Sequence, residues 1–126
     1  MDTDKRTRVG DVMSTPVQTI SSKATVREAA TTMRDHGISA LLVPGSATAI
    51  VTSTDVLNAV ADGHDASELR VADVMTSPVE TITSNLMMEE AAAMMTNFGI
   101  KHLPVVDADG DVVGMVSSTD ITVALS

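Results

Sequence analysis

Ser117, Thr119 and Asp120 place two hydroxyls and a carboxylate where an apolar, strand-like run, Val112 to Val116, gives way to a short apolar helix, Ile121 to Leu125. At such a junction the side chains and the helix N-terminus face one point, a geometry that suits a ribose phosphate. Thr52, Thr54 and Asp55 repeat the pattern ahead of the apolar run Val56 to Ala61. A Thr-Asp pair can equally do no more than start a helix. The recurrence of hydroxyls and acid at one spacing is what favours binding.

An anionic ligand needs local cations, and the chain has few. Eight Lys and Arg stand against seventeen Asp and Glu, a net charge of −9. Arg8 and Arg70 occupy equivalent places three residues before Asp11 and Asp73, and Lys101-His102 precedes a strand-like run. Of these, Arg70 is the first choice for a phosphate, whereas Lys5 and Arg6 read equally well as a solvated tail. Charge of this sign argues against binding a nucleic-acid backbone or an anionic membrane surface.

Catalytic and metal chemistry find little footing. Cysteine is absent, so disulfides, thiol nucleophiles and Cys-based metal sites are excluded. His36, His64 and His102 share no ligand spacing. Asp107-Ala108-Asp109-Gly110-Asp111 superficially suggests a calcium loop, but its Gly is misplaced and its twelfth position is Ser118, so it reads as a turn. Neither a Walker loop nor G-x-S-x-G occurs, and no catalytic or metal residue is assigned.

The elements that must position these residues come as two copies of one unit. Arg8-Val9-Gly10-Asp11-Val12-Met13-Ser14-Thr15-Pro16-Val17 matches Arg70-Val71-Ala72-Asp73-Val74-Met75-Thr76-Ser77-Pro78-Val79, and about half of the aligned residues are identical along the two copies. Each copy is expected to run strand, helix, strand, strand, helix. The first strands are Val17 to Ile20 and Val79 to Ile82. Val26, Ala29, Ala30, Met33 and Met88, Ala91, Ala92, Met95 follow the i, i+3, i+4, i+7 spacing of a buried helix face, stopped at Gly37 and Gly99. Hairpins follow, Ala40 to Val43 with Thr48 to Val51 and Leu103 to Val106 with Val112 to Val116, and then helices opened by Thr54-Asp55 and Thr119-Asp120. The expected division is a tail over 1–8, units over 9–61 and 71–126, and a polar linker over 62–70.

With 126 residues, 44% hydrophobic and Phe98 the sole aromatic, the core must be aliphatic and Met-rich. The charged N-terminus carries no signal-peptide run and no segment is long enough to span a bilayer, so the chain reads as soluble and cytoplasmic. Its Asp-rich, Lys-poor composition resembles proteins of salt-loving organisms. Met87, Met94 and Phe98 widen the apolar face of the second copy's long helix, where the first copy has Thr25 and Thr32 in place of Met87 and Met94. That face is expected to bury against another copy in a homodimer, against a partner protein, or in a broader internal core.

The paired V-x-D-V-M-x-x-P-V openings, the helices ended by Gly-Ile, His102-Leu103-Pro104-Val105-Val106 and Gly114-Met115-Val116-Ser117-Ser118-Thr119-Asp120 together resemble the cystathionine β-synthase (CBS) domain, as the tandem pair called a Bateman module. The resemblance runs from about Arg8 to the C-terminus. It implies an α/β (α+β) fold of two β-α-β-β-α units with pseudo-twofold symmetry, sheets packed together and clefts between units. It also implies a stand-alone regulatory sensor, not an enzyme, without catalytic cofactor, often a dimer, binding AMP, ADP, ATP or S-adenosylmethionine. In that pattern Asp120 and Asp55 accept both ribose hydroxyls, and the neighbouring Ser and Thr serve the phosphate. The adenine slots would use Met13 to Val17 with Ile38, Ala40 and Leu41, and Met75 to Val79 with Ile100 to Pro104. A structural dimerisation module with empty clefts is the alternative. Leu42 in place of Pro104, Ala49 in place of Gly114 and a shortened Pro44-Gly45-Ser46 hairpin favour the Asp120 site over its counterpart.

Overall fold

Both stretches with apolar residues at helical spacing form helices in the computed structural model, which describes residues 7–125. In chain order come α1 (Val9–Val12), α2 (Val26–His36), β1 (Ala40–Val43), β2 (Ala49–Thr52) and α3 (Ser53–Ala61). Then follow α4 (Val71–Val74), β3 (Ile82–Thr83), α5 (Met88–Phe98), β4 (His102–Val106), β5 (Val112–Ser117) and α6 (Ser118–Leu125). Lys5 and Arg6 lie outside the described residues.

The chain divides into two units, and each takes its opening helix from the other repeat. Residues 18–79 form what we call the Asp55 unit; those up to 17 together with 80 onward form the Asp120 unit. The exchange is built into the cores. Val9 of α1 is fully buried among Met88, Leu103, Val105 and Val116, while Val71 of α4 is fully buried among Ala29, Leu41, Val43 and Val51. Each such side chain contributes about 1.5–3 kcal/mol by leaving water, so neither repeat completes a core from its own sequence.

Within the Asp55 unit, β1 and β2 pair as an antiparallel hairpin. The Asp120 unit has the sheet order β3-β4-β5, parallel then antiparallel. Both long helices end as their glycines foretell: Gly37 and Gly99 adopt φ of 63° and 65°, a left-handed conformation that closes the last turn without steric penalty. The first strands are shorter than expected. Val17 to Ile20 reduces to a bridge from Thr19 to Leu42, because Gln18 and Ile20 both bond to Leu42 and the chain then turns at Ser21. Its counterpart shifts to Ile82–Thr83, since the Val79 N–H instead donates to Thr48 O in the Asp55 unit. Among the described residues, no helix is long and apolar enough to cross a membrane.

Candidate functional site

The two strand-to-helix junctions are capping boxes, each set two residues earlier than the sequence expectation. Thr52, not Thr54, caps α3: its hydroxyl accepts from the Asp55 N–H at 3.3 Å, and Asp55 Oδ2 accepts from the Thr52 N–H at 2.8 Å and hydroxyl at 3.1 Å. Ser117 and Asp120 repeat this at α6, with bonds of 2.9 and 3.1 Å. A hydroxyl three residues before a carboxylate is the arrangement that satisfies two orphan amides at once. The acids therefore sit in the first helical turn, half-buried, while Thr54 and Thr119 are exposed beside them. Only Oδ2 of each carboxylate is engaged; Oδ1 has no protein donor among the described residues. Each junction thus presents a carboxylate oxygen able to accept a further hydrogen bond, next to a hydroxyl.

The helix starts are also tied to the strands that precede them. Ser53 N–H donates to Ser39 O and Ser118 N–H to Lys101 O, both at 2.9 Å. Lys101 is thereby fixed at the start of α6, where the Asp55 unit has a serine. Ala40 pairs with Thr52, and His102 pairs with Ser117 while Pro104 pairs with Met115, so all three lie in the sheet beside the junctions.

Each opening segment docks on the hairpin of the other repeat. Ser14 exchanges two backbone bonds with Met115, at 2.8 and 3.1 Å, and Thr76 does the same with Ile50. Met13 and Val17 are therefore in one unit with Ser117, Thr119 and Asp120. Met75 and Val79 are in one unit with Thr52, Thr54 and Asp55. The cause is the exchange of opening helices: α1 and α4 are anchored by Val9 and Val71, and the residues after them reach the nearest open strand edge. Thr15-Pro16 and Ser77-Pro78 are both cis.

Arg8 and Arg70 have matching structural tasks. Their guanidinium Nη1 atoms donate to Asn85 O at 2.7 Å and Lys23 O at 3.1 Å, and their backbone N–H groups to Asp11 and Asp73 at 2.9 Å. Arg70 lines a cleft of about 490 Å³ with Ser22, Lys23, Ala72 and Asp73. A separate cleft of about 580 Å³ lies beside Asp55, lined also by Asn58, Ala59, Asp62, His64, Leu69, Asp73 and Val74. Sequence reasoning passed over Asp62 and His64 as linker; their approach to α4 is not visible from spacing. It also passed over Leu57, Val60, Val123 and Leu125, which α3 and α6 leave half or more exposed. Of the stripe on α5, Met94 packs against its own unit's core while Phe98 is exposed.

The turn at Asp107 brings the carboxylates of Asp107, Asp109 and Asp111 together. Asp107 Oδ1 accepts from the amides of Asp109 and Asp111 at 3.0 and 2.9 Å, which accounts for the loop's shape as a turn.

Residues 9–62 and 71–126 each match the family model of the CBS domain. The chain belongs to the CBS domain family. As a CBS pair it is 34% identical over 117 residues to the MK0525 protein of Methanopyrus kandleri, covering 90% of this chain and 60% of that one. It is 33% identical over 118 residues to the CBS domain-containing protein YhcV of Bacillus subtilis, covering 91% and 83%. Among solved structures it resembles the CBS domain pair of protein MJ0100 in complex with 5′-methylthioadenosine and S-adenosylmethionine, with TM-score 0.85, 30% identity, and coverage of 95% and 96%. Sheets, helices and their order in this mixed α+β chain are those of a CBS pair.

Proposed function

We propose that this CBS pair is a regulatory sensor that binds an adenosine derivative at the two capping-box junctions and passes the change to a partner. The observation that carries the reading is the duplicated junction itself. In each unit a hydroxyl and a carboxylate with one oxygen to spare stand beside a docked opening segment. In this reading Asp120 and Asp55 take the ribose hydroxyls. Ser117, Thr119, Thr52 and Thr54 serve the group on the ribose, with Lys101, His102, Arg8 and Arg70 as the nearby cations. Met13, Val17 and Pro104 flank one adenine, and Met75, Val79 and Ala40 the other. The complex of MJ0100 with two adenosine compounds supports this choice of ligand class. The module is not an enzyme and acts in the cytoplasm as a homodimer, using exposed apolar side chains such as Phe98.

Thermal melting with AMP, ATP and S-adenosylmethionine at high salt tests the reading. A true ligand at 100 times its Kd stabilises by about 2.7 kcal/mol, and no shift with any of the three would refute it. Sedimentation of Phe98→Glu against the wild type tests the dimer, which the charge should weaken.

A further inference from the structure

The two opening segments are the same peptide but for one residue. Arg8-Val9-Gly10-Asp11-Val12-Met13 and Arg70-Val71-Ala72-Asp73-Val74-Met75 differ only in Gly10 against Ala72. Each docks by the same three bonds on the turn that precedes the long helix of the other repeat. In the Asp120 unit, Arg8 Nη1 donates to Asn85 O at 2.7 Å, and the Val9 and Gly10 N–H groups donate to Leu86 O and Ser84 O at 2.8 Å. In the Asp55 unit, Arg70 Nη1 donates to Lys23 O at 3.1 Å, and the Val71 and Ala72 N–H groups donate to Ala24 O and Ser22 O at 2.8 and 2.9 Å.

The two grooves differ in the room they leave. A Cβ on Gly10 would stand 3.1 Å from both Ser84 Cβ and Ser84 O. Carbon atoms in contact settle at about 3.5–4.0 Å, so segment or turn would have to yield. The turn is poorly placed to do so. The Ser84 carbonyl accepts from Gly10 itself, and the next two carbonyls, of Asn85 and Leu86, are tied to Arg8 and Val9. In the Asp55 groove Ala72 occupies the equivalent place with its bond to Ser22 intact, so a methyl group fits there.

We infer that Gly10 decides which repeats can pair. A groove that admits alanine also admits glycine, so the first repeat's opening segment fits either unit. The second repeat's segment fits the Asp55 groove alone. The further partner this allows is a second copy of the chain: two first repeats can exchange opening segments between copies, and two second repeats cannot. The inference involves no ligand and stands independently of the sensor reading.

A protease site inserted between His64 and Asp65, both exposed, lets the folded full chain be cut into its two repeats with every residue still present. Native mass spectrometry of the cut chain then counts the assemblies. Pairs of first with first should appear beside pairs of first with second, and pairs of second with second should be about tenfold rarer than first with first, the penalty of an overpacked contact. Ala72→Gly should raise second-with-second pairs about tenfold, and Gly10→Ala should shift first-with-second pairs toward first with first by a similar factor. Absence of first-with-first pairs, second-with-second pairs of equal abundance in the wild type, or counts unmoved by Ala72→Gly would each overturn the inference.

Discussion

The Asp55 and Asp120 units share one plan and differ in what surrounds their junctions. Both have a fully buried Leu at the centre of the hairpin, Leu41 and Leu103, and both are closed by a Val from the other repeat. Both hold their acid by the same capping box. Yet one junction has Lys101 at the helix start and the other has Ser39 with an acidic cleft alongside. Architecture is duplicated while electrostatics is not. A core tolerates little change because it is close-packed, whereas exposed charges can diverge at small cost in stability.

That comparison can be broken first at the cores. Leu41→Ala and Leu103→Ala should each cost about 2–5 kcal/mol in denaturant unfolding, and similar amounts, if the units are equivalent inside. A large inequality would show that one unit carries the stability of the other. The next effect is asymmetric. A Cβ at Gly114 would lie 2.8 Å from Met13 Cγ and 3.2 Å from Met13 Cβ, so the Met13 side chain rests directly on β5. Gly114→Ala should therefore cost about 1–3 kcal/mol by overpacking, and less in a Met13→Ala background. At the equivalent place the Asp55 unit already has Ala49, so Ala49→Gly should cost only about 0.5–1 kcal/mol, the backbone-entropy penalty of Gly in a strand.

Much of this was legible before any coordinates. Two long helices, their glycine ends and both hairpins follow from periodicity and turn residues, because those signals are local. The exchange of α1 and α4 between repeats is not legible, since Val9 and Val71 look alike and either could close either core. The first strands were overread for a related reason: β-branched residues at Val17 to Ile20 favour extended backbone, but a strand needs a partner, and Leu42 is reached by one bridge only. At the junctions Thr54-Asp55 and Thr119-Asp120 read as the helix starts, whereas the capping hydroxyls are those of Thr52 and Ser117, two residues earlier. A hydroxyl followed three residues later by an acid, as in Thr52 with Asp55, is itself a readable box.

Smaller effects sharpen the picture of the caps. Thr52→Ala and Ser117→Ala should each cost about 1 kcal/mol, in line with loss of a helix cap. Unequal losses would mean that the two boxes are not equivalent supports. A third box, Thr25 with Glu28, keeps its acid but not its hydroxyl in the other unit, where Met87 replaces Thr25 and Glu90 accepts from the Met87 N–H alone, at 3.2 Å. Hydrogen bonds from the Thr25 N–H and hydroxyl hold the Glu28 carboxyl below its ordinary value, with Arg70 adding a smaller effect. A depressed carboxyl stabilises the fold above its unfolded pKa, and this is lost as pH falls through the folded one. Wild type should therefore lose slightly more stability than Glu28→Gln between about pH 5 and pH 3; equal losses would deny the box an ionic contribution.

The central claim, that the duplicated junctions are ligand sites, is tested most directly by counting sites. Calorimetric titration with uncharged 5′-methylthioadenosine should give two sites per chain in the wild type. Asp120→Ala should abolish one and Asp55→Ala the other. Binding that keeps the same stoichiometry and affinity in both variants would contradict the account.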